Sequence, residues 1–314
     1  MNKLPVAAPG WTGTHPIPPK DFSHDLSELL GPMFDMTLVD WDGYTPIPIL
    51  DAEGRVILSL SGQPRGEGWK NGMVGAATST ICHTSRHCMF PDTAKGHRHG
   101  KFRALAVGTP AHTQPSDLGT YVTQADTDGV NRIVNFISNS FATLALHVFQ
   151  VYQKNLDDLV EHHPKLRRNF PKTPFTAAIV NFGPRTVTKP HIDRANLAWG
   201  WCAITALGDF DPDTGSHLIL WDLGLVIRFP PGATILMPSA LLLHSNVEVK
   251  EGQTRYSFTQ YSAGGLFRWV YNGFCTDKNL LEKATDQEKA KRKQERSQRW
   301  EQGLSMFSGW EEFW

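Results

Sequence analysis

The sequence has no run approaching about 18 uninterrupted apolar residues, which speaks against a membrane-spanning helix. It has little cysteine. Four in 314 residues, with no C-x-x-C pair and no compact framework, disfavour a disulfide scaffold and point to a reducing compartment. It has no excess of charge, since Lys+Arg and Asp+Glu are both 31, so a charged partner has to be recognised by local clusters. No internal repeat is visible, and the opening MNKLPVAAPGWTG lacks the apolar centre of a secretory signal. What remains is a chain of ordinary globular composition, 40% hydrophobic and 20% charged, long enough to bury a substantial core.

Four regions follow one another. Residues 1–128 read as a β and loop extension, rich in Pro and Gly at its start, with short strand-like runs at Thr37-Leu38-Val39 and Val56-Ile57-Leu58. From Gly129 to His163 apolar residues recur at helical spacing, among them Val130, Ile133, Val134, Ile137, Phe141, Leu144, Val148, Tyr152, Leu156 and Leu159, and Pro164 follows. This predicts one long amphipathic helix within 129–173. Residues 174–275 read as eight short strands, FTAAIVNF, WCAITALG, HLILWDL, LVIRFP, ATILMP, LLHSNV, RYSFTQYSA and FRWVYNG, which suggests a sandwich or jelly roll. Residues 276–314 read as a charged helix and an aromatic tail. The expected fold class is α+β with a mainly β core.

The stretch KPHIDRANLAWGW places His191 and Asp193 one residue apart. In extended chain these point to one face, about 7 Å apart at Cα, and can begin a metal site; a capped turn with a solvated aspartate is the other reading. His244, in the apolar run LLLHSNV, is a candidate third ligand from another strand. Two histidines and one carboxylate suit a non-haem Fe(II) centre with open positions. Arg255 and Ser257, in RYS, fall on one strand face, where a guanidinium could clamp a carboxylate and a hydroxyl could assist it.

In that order, H-x-D, His and R-x-S resemble the pattern of the 2-oxoglutarate and Fe(II)-dependent dioxygenases. The run from WCAITALGDFDPDTG to ALLLHSNV, RYSFTQYSAGGLFRWV and KFRALAVG at 101–108 resemble more narrowly the fungal branch of the TET and base-J-binding protein dioxygenases. The resemblance implies a double-stranded β-helix and an enzyme that consumes O2 and 2-oxoglutarate at Fe(II) held by His191, Asp193 and His244. It further implies that Arg255 and Ser257 bind the distal carboxylate of 2-oxoglutarate. Asn181 falls where related nucleic-acid oxygenases touch the co-substrate, although a buried amide closing a turn fits that position equally. The implied substrate is a methylated base in double-stranded DNA, 5-methylcytosine or N6-methyladenine, flipped from the stack into a pocket to which Arg194 and Asn196 are candidate contributors. A protein or small-molecule hydroxylase of the same fold, or a DNA-binding remnant without turnover, are the alternatives.

Local charge adds two candidates for contact with a polyanion. Residues 80–103 carry Arg86, Lys95, Arg98, Lys101 and Arg103 against Asp92 alone. Residues 278–299 carry eight basic and four acidic side chains, including KAKRK at 289–293, either a nuclear import signal or a solvated helix face. The Cys82, His83, His87 and Cys88 cluster, with His97 and His99 nearby, admits a structural zinc, but its spacing is wrong for a standard finger. His217 is expected to be structural or near the site mouth, Cys202 and Cys275 to pack in the core, and Phe307, Trp310, Phe313 and Trp314 to fold back on the domain or stack on bases. Nothing in the sequence names a protein partner.

Overall fold

The computed structural model describes residues 6–7, 10–14, 24–87, 90, 99–108 and 128–313. In chain order the N-terminal part carries α1 (Leu26–Leu30), β1 (Thr37–Val39), β2 (Ile47–Leu50) and β3 (Val56–Gly62). A π-helical stretch (Gly68–Val74) then runs into α2 (Gly75–His87), followed by β4 (Ala104–Gly108), α3 (Asp128–Leu144) and α4 (Leu146–His162). The remaining strands are β5 (Ala177–Asn181), β6 (Cys202–Asp209), β7 (Leu218–Leu220), β8 (Leu225–Ile227), β9 (Thr234–Met237), β10 (His244–Asn246) and β11 (Thr254–Tyr261). Helices α5 (Gly264–Tyr271), α6 (Asp277–Lys283) and α7 (Asp286–Leu304) close the chain.

Two sheets face each other as a jelly roll: a seven-stranded sheet in the order β2-β3-β9-β6-β11-β5-β4, and a four-stranded sheet in the order β1-β8-β7-β10. Pairing is antiparallel except between β1 and β8. The large sheet is covered on both faces, and the period-two alternation of its strands sorts residues between two cores. One core fills the roll, with Leu58, Leu60, Cys202, Ala206, Leu220, Ile227, Ile235 and Met237. The other lies between the sheet and the helices, where Ala178, Val180, Ala203, Leu207, Tyr256 and Phe258 meet Ile133, Ile137, Phe141 and Tyr152. β11 shows the division most clearly. Tyr256 and Phe258 belong to the helix-facing core, while Arg255, Ser257, Thr259 and Tyr261 line a pocket inside the roll.

Five sequence expectations change. The N-terminal strands are integral: β2 and β3 extend the large sheet, and every residue of β3 is buried. The 129–163 helix is two helices, broken at Ala145, whose φ of −151° and ψ of 59° leave the helical region. Just before the break the hydroxyls of Ser138 and Thr143 donate to carbonyls four residues back, at 2.9 Å each, a side-chain competition that bends helices without any Gly or Pro signal. FRWVYNG is not a strand but most of α5; its apolar run is short enough to suit either element, and it packs helically, with the Phe267 ring 5.0 Å from that of Tyr152. The CHTSRH segment is the end of α2 rather than loop, and the charged C-terminal segment is two helices, α6 and α7. The outer flank of α7 is tied down by Arg299, whose guanidinium carbon lies 4.4 Å from the Trp11 ring and 4.7 Å from that of Tyr271.

Candidate metal centre

His191 begins the H-x-D stretch as a single bridging residue, not within a regular strand. Its backbone N–H donates to the His244 carbonyl at 3.0 Å, and the His244 N–H donates back at 2.9 Å. Two residues on, the Asp193 N–H donates to the Ser239 carbonyl at 2.8 Å, and Ile192 between them is buried. The H-x-D side chains come together without a regular strand.

The imidazoles are oriented by their own backbone. His191 Nδ1 lies 2.6 Å from the Lys189 carbonyl and His244 Nδ1 lies 2.8 Å from the Leu242 carbonyl. A carbonyl only accepts, so each Nδ1 carries a proton and Nε2 is the nitrogen left to face a metal. The two rings are 4.3 Å apart at their centroids, and His191 Nε2 is 4.0 Å from Asp193 Oδ1. Burial, with the His244 ring, pushes His191 well below its ordinary value against the pull of Asp193, so the ring is neutral. Burial works to raise the Asp193 carboxyl, but the His191, His244 and His99 rings and the Ser239 hydroxyl outweigh it, and it stays ionised below its usual range. Two imidazoles and one carboxylate form a donor set suited to a divalent first-row metal, and the Nδ1–H to carbonyl bonds are the outer support such ligands use.

These side chains line a pocket of about 250 Å³. At one end is Arg255, 3% exposed. Its Nε donates to Ser216 Oγ at 2.8 Å and its Nη1 to the Thr186 carbonyl at 3.1 Å, and among the described residues no carboxylate pairs with it. Burial alone lowers its pKa to about 10. Ser257 and Asn181 sit opposite each other across β11 and β5, with Asn181 Nδ2 donating to Ser257 Oγ at 2.7 Å. Ser257 therefore keeps its own O–H to offer into the pocket. Asn196 also lines the pocket, anchored by a 3.1 Å bond from its Nδ2 to Ser239 Oγ, whereas the Arg194 side chain is not part of the lining.

Two further polar residues line the pocket: Tyr261, which the sequence reading passed over, and His99, which it grouped with the Cys/His cluster. Tyr261 is raised by burial and by Asp193. His99 stacks on His191, ring centroids 4.2 Å apart, with its Nε2 3.8 Å from Asp193 Oδ1. The spacing R-x-S-x-x-x-Y on one strand could have pointed to Tyr261; nothing local could have placed His99.

The basic candidates disperse. Arg98, with Lys95, Cys88 and His97, lies outside the described residues. Arg103 is engaged: its Nη1 donates to the Ser85 carbonyl at 3.2 Å and its guanidinium sits 5.2 Å from the Phe90 ring. Arg86 lines a separate cleft together with Tyr256 and Cys82, on the helix side of β11. Lys101 borders a groove of about 720 Å³ that also takes in Arg185, Lys189 and Glu248 and meets the metal pocket at Thr188. On α7, Lys289, Lys291 and Arg292 reach Asp286, Glu295 and Asn272.

Among the described residues of the Cys/His segment, His83 and His87 stack at 4.1 Å, but the described side chains whose ligand atoms converge are His99, His191 and Asp193. His217 is buried beside Arg228 and does not line the pocket. Cys202 is in the roll core, its thiol pushed up to about 12 by burial and Asp193, whereas Cys275 is only half-buried, bonded to the Asn272 carbonyl. Phe307 is buried, and Trp310 and Phe313 pack against each other, with the Trp310 N–H on the Gly54 carbonyl. Trp314 lies outside the described residues.

The solved structures to which the chain is similar include two of low identity. One is NgTET1 in complex with 5mC DNA, with 13% identity and a TM-score of 0.47, covering 78% of this chain and 88% of that one. The other is an oxidoreductase of the 2OG-Fe(II) oxygenase family from Burkholderia pseudomallei, with 14% identity and a TM-score of 0.32, covering 59% and 76%. No protein-family profile and no curated protein matches the chain. No helix among the described residues is long and apolar enough to cross a membrane.

Proposed function

We propose that the protein is an Fe(II)- and 2-oxoglutarate-dependent dioxygenase that oxidises the methyl group of a methylated base in DNA. The observation that carries the oxygenase reading is Arg255, a buried cation without a carboxylate partner among the described residues, in the same pocket as the histidine and aspartate donors. The guanidinium thus lacks a paired anion among the described residues, and a dicarboxylate that spans from the metal to it would supply one. Fe(II) held by His191, Asp193 and His244 would supply the oxygen chemistry that couples conversion of 2-oxoglutarate to succinate and CO2 with insertion of one oxygen atom into a C–H bond.

The chain's own residues do the rest. Arg255 grips the distal carboxylate, and Ser257, whose oxygen already accepts from Asn181, donates its hydroxyl proton to the same group. Ser216 and the Thr186 carbonyl fix the guanidinium plane, so the anchor is held before the anion arrives. Asn196, Tyr261 and Ala195 border the pocket where a substrate would enter.

The DNA reading rests on the sequence resemblance, and it is supported by the groove beside the pocket, in which Lys101, Arg185 and Lys189 face one acid, Glu248. The N-terminal strands and all helices belong to one catalytic unit on this reading. The test is incubation with Fe(II), 2-oxoglutarate and duplex oligonucleotides carrying each methylated base, followed by nucleoside mass spectrometry. Hydroxymethyl, formyl or carboxyl cytosine, or loss of the N6-methyl mark as formaldehyde, would identify the base. DNA binding without turnover would favour a remnant, and turnover of 2-oxoglutarate without any change in DNA would favour another substrate class.

A further inference from the structure

His99 occupies a place at the metal centre that the three-ligand pattern does not use. Its Nε2 is 3.8 Å from Asp193 Oδ1, as close as His191 Nε2 at 4.0 Å, and the ligand atoms of His99, His191 and Asp193 all lie within 4.8 Å of one another. Ligand atoms about 2.1 Å from one ion stand about 3.0 Å apart when cis in an octahedron, about 3.4 Å apart in a tetrahedron and about 4.2 Å apart when trans. The two spacings to Asp193, 3.8 and 4.0 Å, fall within that range, and the third is no more than 4.8 Å, so closure around an ion needs only side-chain adjustment on the order of 1 Å.

The backbone holds His99 there. Its carbonyl accepts the Lys189 N–H at 2.8 Å, and Gly100 passes so near the Val187 carbonyl and the Phe102 ring that a side chain on it would overlap both. The segment is thus fixed against the residues leading into H-x-D. Rotation about χ1 and χ2 of His99 is enough to move its Nε2 onto an ion or away from it.

Resting on the reading of this pocket as an iron and 2-oxoglutarate site, we propose that His99 is a fourth, exchangeable protein ligand, bound to the metal before the co-substrate arrives and displaced by it. Exchange is required by coordination number. Three protein ligands leave three positions on a six-coordinate ion, which a chelating 2-oxo acid and oxygen fill, so a permanent fourth would block turnover. In the absence of co-substrate His99 strengthens metal retention and keeps one position closed. Once displaced, its ring remains stacked near His191 at the pocket wall.

Anaerobic titration of the full chain with Co(II), a redox-silent probe, tests this. The strongly shifted imidazole N–H proton resonances of a Co(II) protein count its histidine ligands. We expect three in the wild type, falling to two on addition of 2-oxoglutarate, and two throughout in His99→Phe, which keeps a ring against His191. His99→Phe and His99→Asn should bind Co(II) about tenfold or more weakly than wild type without 2-oxoglutarate and equally well with it. Unchanged melting of at least one variant excludes a folding defect. Two resonances in the wild type, or equal Co(II) affinity without 2-oxoglutarate, would overturn the proposal. His191→Ala and His244→Ala separate the two layers of the argument. If they retain Co(II), the metal centre itself is misread and the proposal falls with it; if they lose Co(II) while His99→Phe does not, His99 alone is misassigned.

Discussion

Arg255→Met is expected to leave the protein as stable as wild type, or more so, while removing its response to 2-oxoglutarate. The side chain is 3% exposed and meets only neutral groups, Ser216 Oγ and the Thr186 carbonyl, among the described residues. Burial alone lowers its pKa to about 10, and at about 1.4 kcal/mol per pH unit the fall from the ordinary arginine value corresponds to about 3 kcal/mol against the charged, unliganded fold. That deficit is fully present below pH 10 and would be relieved only as pH rises from there toward the ordinary arginine range. Methionine of similar length removes the charge but deprives the hydroxyl and the carbonyl of a donor, a loss of about 1–3 kcal/mol. The balance is between about 0 and 2 kcal/mol in favour of the variant, a melting temperature unchanged or a few degrees higher.

The ligand response differs. For the wild type with bound Mn(II), 2-oxoglutarate at about 100 times its Kd should add about 2.7 kcal/mol of stability, and Arg255→Met should show none of it. Arg255→Lys keeps a charge but loses the two-pronged grip, so its Kd should rise more than about tenfold, or about 1.4 kcal/mol. Thermal melting with and without 2-oxoglutarate, backed by calorimetric titration, reads both quantities. An Arg255→Met protein that melts several degrees lower yet keeps its 2-oxoglutarate shift would show that the arginine is a structural brace and that the anion site lies elsewhere.

Alanine at His191, Asp193 or His244 should each weaken Co(II) binding more than about 100-fold in calorimetric titration, and wild-type affinity in any of the three would remove that residue from the centre. Because burial and the His244 ring depress His191 below its ordinary 6.5, the unfolded chain takes up this proton first as pH falls. The metal-free protein should therefore keep this contribution above pH 6.5 and lose it progressively below, which urea unfolding across pH 5–8 would detect. Arg299→Ala should cost about 1–3 kcal/mol, since it removes a guanidinium held between Trp11 and Tyr271, with Arg299→Lys recovering part of the loss; a neutral effect of both would mean the clamp is ornamental. Gly200→Ala should destabilise by a similar amount, about 1–3 kcal/mol, because its Cβ would overlap the Tyr152 hydroxyl that donates to the Trp201 carbonyl at 3.0 Å. A fully stable variant would show that Tyr152 can turn aside.

The parts of the fold legible in the sequence are those governed by short-range periodicity. β5, β6, β9, β10 and β11 appear where apolar alternation and turn residues put them, and His191, Asp193, His244, Arg255, Ser257 and Asn181 line one pocket, His191 and Asp193 from outside the named strands. Most of the failures originate in long-range contact. FRWVYNG has strand-like composition, but Phe267 finds Tyr152 on α4, and a helix buries it better. The Ala145 break depends on where two hydroxyls turn, not on residue type. His99 reaches the pocket because its carbonyl meets the Lys189 N–H, a contact between residues far apart in sequence. Ser216 and Thr186, which orient Arg255, are ordinary residues whose role exists only after the sheets close.

The bridge between His191 and His244 has a consequence for the protein's lifetime. Two reciprocal backbone bonds join chain segments far apart in sequence, at the edge of the smaller sheet. An ion gripping both imidazoles would close the same loop a second time, as a reversible cross-link whose breaking and the local opening of that edge become one event. Amide exchange at 191–193 and 244–246, and proteolytic nicking nearby, would then report metal occupancy directly. A cell short of the metal would hold molecules with a looser edge, and quality control could clear the idle copies before the loaded ones.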